Sequence, residues 1–160
     1  MSALPPAEQK TLLLLLFAPG ETGDYSEPIT GKTRLMKEAF LLDHEGSSDE
    51  PLVHPGPFIP YKYGPFSVKV ATALDDLSNM GLVLPSKGDE STITFVLSAE
   101  GRKEAGELWA QMPPDAKRDL LVVKSSYNRQ PLTSLLHYVY SKYPEYTVES
   151  ELREQLVGSD

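Results

Sequence analysis

Apolar positions along this chain recur mostly at helical spacing. Leu12 to Leu16, followed by Phe17, form one unbroken apolar run between Pro5-Pro6 and Pro19-Gly20, which predicts a buried first helix over residues 7–17. A polar loop follows, and Thr30, as N-cap, opens a second helix over 30–42. Its apolar residues Leu35, Met36, Ala39, Phe40 and Leu42 share one face, and Lys32, Arg34, Lys37 and Glu38 are expected on the solvated side. Ser67 is a good N-cap for a third helix over 67–80, with Val70, Ala73, Leu74 and Leu77 inward and Met80-Gly81 as its stop. Leu82-Val83-Leu84, a polar turn from Ser86 to Glu90, and the β-branched and aromatic run Thr92 to Leu97 predict a hairpin across 82–97. Ser98 then caps a helix over 98–112 carrying Ala105, Leu108, Trp109 and Met112 inward, stopped by Pro113-Pro114.

Two more helical patterns follow, over 115–127 with Leu120, Leu121 and Val123, and over 131–143 with Leu132, Leu135, Leu136, Val139 and Tyr143 on one stripe. Residues 149–158 either form a short acidic helix or fray. Between the second and third helices, residues 43–65 hold an acidic stretch and five prolines, which rule out a continuous helix or a central strand. Phe58, Tyr61, Tyr63 and Phe66 give that connection enough apolar surface to pack down.

The predicted class is mainly α with a small β-hairpin. Helix, helix, helix, hairpin, helix is the order of a winged-helix-like core, here residues 1–113. Residues 114–160 are expected to be a C-terminal helical extension packed on that core. The long connection before the third helix departs from the tight turn of a DNA-reading helix-turn-helix.

Gly31-Lys32-Thr33-Arg34-Leu35-Met36-Lys37 and Tyr61-Lys62-Tyr63-Gly64-Pro65-Phe66-Ser67, with Leu74, Leu77, Gly81 and Leu82 after the second, resemble the signatures of the Panacea-domain family. That family includes SocA-like antitoxins and YwgA-like proteins. Tyr127-Asn128, Pro131-Leu132, Tyr138-Val139-Tyr140 and Tyr143-Pro144-Glu145 are similar to the YwgA-like branch. The resemblance implies a winged-helix-like fold and, for some members, neutralisation of a toxin by direct binding.

Composition narrows the function classes. No cysteine is present, which removes disulfides and thiolate metal sites. The apolar run at 12–17 is far short of the roughly 20 residues that span a bilayer, and its flanks are a poor signal-peptide match, so a cytoplasmic protein with no membrane role is expected. A net charge of −8 disfavours strong non-specific nucleic-acid binding and suits a basic protein partner.

Chemistry-bearing patterns are weak. Gly31-Lys32-Thr33 lacks the upstream glycine of a phosphate loop, where Ser26 stands instead. Asp43, His44, Glu45, Asp49, Glu50 and His54 match no closed metal site and read as a solvated acidic loop. His137 lies on the polar flank of its helix, Asp75-Asp76 are helical neighbours that do not face one point, and no nucleophile-elbow pattern occurs. No catalytic residue, cofactor or metal is therefore expected.

Two binding functions remain. In the first, the chain is a non-catalytic module that docks on a protein, such as a toxin or defence-system component, through Phe58, Tyr61, Tyr63, Tyr138, Tyr140, Tyr143 and Tyr146. Tyrosine combines apolar area with a polar tip and is enriched at interfaces. On that reading Tyr140→Ala or Tyr143→Ala weakens binding and leaves folding largely intact; otherwise these tyrosines pack the extension onto the core. In the alternative, a transcriptional regulator, duplex DNA meets Lys32, Arg34, Lys37, Lys62, Ser67, Lys69, Thr72, Asn79 and Lys87, against unfavourable Asp75, Asp76, Asp89 and Glu90.

Overall fold

A computed structural model describes residues 5–46, 58–62, 64–88 and 92–146. Tyr63, the acidic stretch with Asp49, Glu50 and His54, the turn residues Asp89 and Glu90, and the acidic helix expected at 149–158 lie outside the described residues.

The described chain is mainly helical, with small antiparallel sheets. Helix α1 spans Ala7–Phe17, and Thr11 to Leu16 are buried on every side of it. It is the central helix, packed by α2 (Lys32–Glu45), α3 (Val68–Asn79), α4 (Ala99–Ala110) and α5 (Pro114–Tyr127). Helix α6 covers Leu132–Lys142, and a 3-10 turn follows at Pro144–Tyr146. Local caps act as expected: Ser67 Oγ accepts from the Val70 amide and Ser98 Oγ from the Gly101 amide. Gly81, at φ 76°, lets the Leu82 amide turn back onto the Leu77 carbonyl at 3.0 Å and close α3.

The hairpin consists of β4 (Val83–Lys87) and β5 (Ile93–Leu97), paired antiparallel from Val83 opposite Leu97 to Lys87 opposite Ile93. A strand not expected from the sequence joins it: β1 (Ile29–Thr30) pairs with β5, giving the order β1-β5-β4. The second helix accordingly begins later than expected. Thr30 is in β1, facing Thr94 with the two hydroxyls 3.1 Å apart, and the N-cap is Gly31 at φ 96°, with no side chain among the described residues capping the helix. Within the proline-rich connection a separate hairpin forms from β2 (Ile59–Tyr61) and β3 (Gly64–Phe66), where Pro60 faces Pro65.

The largest departure concerns α2. Residues 34–42 are buried without interruption, including Arg34, Lys37 and Glu38, which were expected on a solvated face. Helices α1, α3, α5 and α6 and strand β3 all pack on α2, and Phe40 of its apolar stripe meets Phe58, Tyr143 and Tyr146. Burial of charge on α2 therefore follows from helices that lie far along the chain. One continuous apolar core runs from Leu12 through Leu77, Trp109 and Leu120 to Val139 and Tyr140. Leu132, expected on the apolar stripe of its helix, is exposed, as is Leu121 in the middle of α5.

Candidate docking surface

Most of the C-terminal tyrosines do not form a free surface. Glu45, at the end of α2, gathers them: the Tyr127 hydroxyl donates to Glu45 Oε1 at 2.9 Å, and the Tyr138 and Tyr143 hydroxyls to Oε2 at 2.5 and 2.8 Å. Lys142 Nζ adds an ion pair at 2.8 Å. Burial pushes the Glu45 carboxyl up, but the bonds from Lys142 and the tyrosines outweigh it and hold it below the ordinary range. Partial burial beside this carboxylate raises the Tyr127 and Tyr143 hydroxyls. Tyr146 stacks edge-on against Phe40 and meets His44 Nε2 at 3.2 Å. Phe58 is buried against Phe40, with ring centroids 5.2 Å apart. Tyr140 is fully buried.

Tyr140 is thus a core residue, and an alanine there damages the fold before any interface. Tyr138, Tyr143 and Tyr146 are partly buried and fasten α6 and the 3-10 turn to α2. Of the described tyrosines proposed as contacts, Tyr61 stands out at 46% exposed, beside Ile59 at 47%.

Beneath this surface lies a buried polar cluster that the sequence did not reveal. The last four carbonyls of α1 need partners outside the helix. Leu14 O accepts from the Ala18 amide and Phe17 O from the Ser26 amide. Lys124, fully buried on α5, donates to Leu15 O at 2.6 Å, Leu16 O at 3.3 Å and Ala18 O at 2.9 Å. Arg34 donates to Tyr127 O at 2.7 Å, and Glu27 receives Asn128 and Arg129. Glu38 is fully buried, and among the described residues neither carboxyl oxygen has a hydrogen-bond partner. Burial pushes its pKa up to about 8, against the pull of Lys124 and Arg34.

A cleft of about 200 Å³ opens between the first turns of α2 and the β2–β3 hairpin, lined by Lys32, Thr33, Met36, Lys37, Tyr61, Gly64 and Phe66. The Tyr61 and Phe66 rings lie 4.8 Å apart. Lys37 is 2% exposed and donates to Pro65 O at 3.0 Å, and burial lowers its pKa to about 7. Gly64, at φ 96°, brings the backbone so close that a Cβ would lie 2.9 Å from Tyr140 Cε1 and 3.2 Å from Lys37 Cε. That contact gives Gly64 of the Gly-Pro-Phe-Ser stretch a physical role, since β3 seats directly on Lys37 and Tyr140.

The proposed DNA contacts divide. Lys32, Lys62, Lys69, Thr72, Asn79 and Lys87 are exposed. Arg34, Lys37 and Ser67 are buried and engaged internally, with the Ser67 amide also pointing at Met36 Sδ, so they cannot reach a duplex. The outer face of α3 carries Lys69 together with Asp75 and Asp76. His137 is exposed, and among the described residues no three His, Asp or Glu side chains gather as metal ligands. Nor is any helix among them long and apolar enough to cross a membrane.

A scan against protein-family models gives no match, and no curated protein matches the chain.

Proposed function

We propose that this chain is a non-catalytic docking module, antitoxin-like or adaptor, that acts in the cytoplasm on a protein partner of the toxin or defence-system kind. Its frame is a winged-helix-like core with a C-terminal helical extension. The helix order and the three-stranded β1-β5-β4 sheet support the frame, with α2 and α3 as the helix pair and β4–β5 as the wing. The observation that carries the docking reading is the cleft under the β2–β3 hairpin, where Tyr61 and Ile59 stand exposed beside Met36 and Phe66. An exposed aromatic at the mouth of an apolar cleft is the usual form of a binding anchor. The resemblance to Panacea-domain proteins points the same way.

The test is purification of the tagged chain from its host beside an Ile59→Ser/Tyr61→Ala variant. A partner recovered in stoichiometric amount with the first and lost with the second supports the reading. Sequence-selective duplex binding at physiological salt, without any such partner, overturns it.

DNA binding is the second reading, favoured by the open N-terminal half of α3, where Val68, Lys69 and Thr72 are exposed. On that reading Lys69→Ala weakens duplex binding in a gel shift more than Lys142→Ala, because Lys142 is held by Glu45. The carboxylates of Asp75 and Asp76 on the same helix oppose phosphate approach, which ranks this reading second.

A further inference from the structure

We infer that the cleft between α2 and the β2–β3 hairpin receives an acidic peptide segment of the partner, an apolar side chain flanked by a carboxylate. The inference rests on the docking reading and names the chemistry of that site. It runs against the overall charge of −8, which by itself favours a basic partner.

Two features of the cleft are electropositive, and buried Lys37, bonded to Pro65 O and drawn toward its neutral form, is not one of them. Lys32 stands exposed at the cleft edge. The second is the N-terminus of α2, where the first turn holds no acidic residue and, among the described residues, no side chain caps the helix, which leaves its positive end facing the cleft. No carboxylate is among the residues that line the cleft. Exposed Lys62, on the same hairpin, adds to the local charge.

The remaining lining selects the rest of the ligand. Met36, Tyr61 and Phe66 form an apolar surface that an inorganic anion or a DNA phosphate would leave wet. An apolar side chain fills it and displaces water, while a neighbouring Asp or Glu reaches Lys32 and the helix end. Peptide recognition of this mixed kind couples an apolar anchor to charge steering.

The experiment is an amide NMR titration of the full isotope-labelled chain with three short peptides in one Gly/Ser frame. The first carries Leu-Phe between Glu and Asp, the second has Lys in place of both acids, and the third has Ala in place of Leu-Phe. A DNA duplex is the fourth ligand. Expected is that the first peptide shifts the amides of residues 32–37, Gly64 and Phe66, binding about tenfold tighter than the other two, and that added salt weakens it. Lys32→Glu and Tyr61→Ala, both at exposed positions, each reduce its affinity about tenfold with an otherwise unchanged spectrum. Equal or tighter cleft binding of the Lys-flanked peptide overturns the acidic assignment and leaves docking standing. Shifts centred elsewhere, or none with any peptide, overturn the inference, and the purification with the Ile59/Tyr61 variant then decides the docking reading separately. Stronger cleft shifts with the duplex overturn it in favour of DNA.

Discussion

Replacing Lys124 with Met tests the buried polar cluster most directly. The substitution keeps most of the side-chain volume and removes only the ammonium, which supplies donors to Leu15 O, Leu16 O and Ala18 O at the end of α1. At pH 7 the group is still charged, below the value of about 8 to which burial lowers it. A buried carbonyl left without a donor costs about 1–3 kcal/mol, although the end of a helix relaxes and three such losses do not simply add. The charge cluster adds little at pH 7, because Glu38 beside the cation is mostly protonated and Glu27 keeps Arg129 and Asn128. The loss is therefore about 2–4 kcal/mol from the carbonyls, a large share of the roughly 5–15 kcal/mol typical of a domain. Urea unfolding followed by circular dichroism at pH 7 measures it, with exposed Lys103→Met as a control expected within about 0.5 kcal/mol of the parent. Hydrogen exchange adds a local readout, with the Ala18 and Ser26 amides exchanging faster in the Lys124 variant. A loss under about 1 kcal/mol at unchanged denaturant slope would refute this account of how α1 ends.

Tyr140→Ala should cost about 3–5 kcal/mol in the same unfolding assay, because a fully buried ring is removed; a near-neutral result would return Tyr140 to the surface. Gly64→Ala should cost about 1–3 kcal/mol, from φ 96° and a Cβ 2.9 Å from the Tyr140 ring, and a rise in melting temperature would contradict that geometry. Glu38 binds its proton more tightly in the fold, at about 8, than at its ordinary 4.5, so its contribution is fully present below 4.5 and is lost as pH rises toward 8. Between pH 5 and 7 the parent should therefore lose up to about 2 kcal/mol relative to Glu38→Gln, and parallel pH profiles would show that Glu38 does not take up a proton on folding.

The helices were legible because their signals are local. Apolar residues at helical spacing, Ser67 and Ser98 as caps, and Gly81 and Pro113-Pro114 as stops act within a turn or two of the residues they organise. The β4–β5 hairpin was legible for the same reason. Strand β1 was not, since two residues carry no period of their own and gain strand identity only by pairing with Phe95 and Thr94. The charges on α2 were misjudged because spacing tells which residues share a face and not which faces are covered. Lys124 meets a carbonyl 109 positions away, and Arg34 one 93 positions away. The tyrosine-rich end shows the same limit: composition marks its rings as amphipathic, suited equally to a partner or to this chain. Tertiary packing decided between them, placing Glu45 where their hydroxyls converge and leaving Tyr61 and its lysine-edged cleft open. Local sequence set the elements of this protein. Which polar groups lie inside and which face stays open followed from burial shared between distant segments, a property no single segment carries.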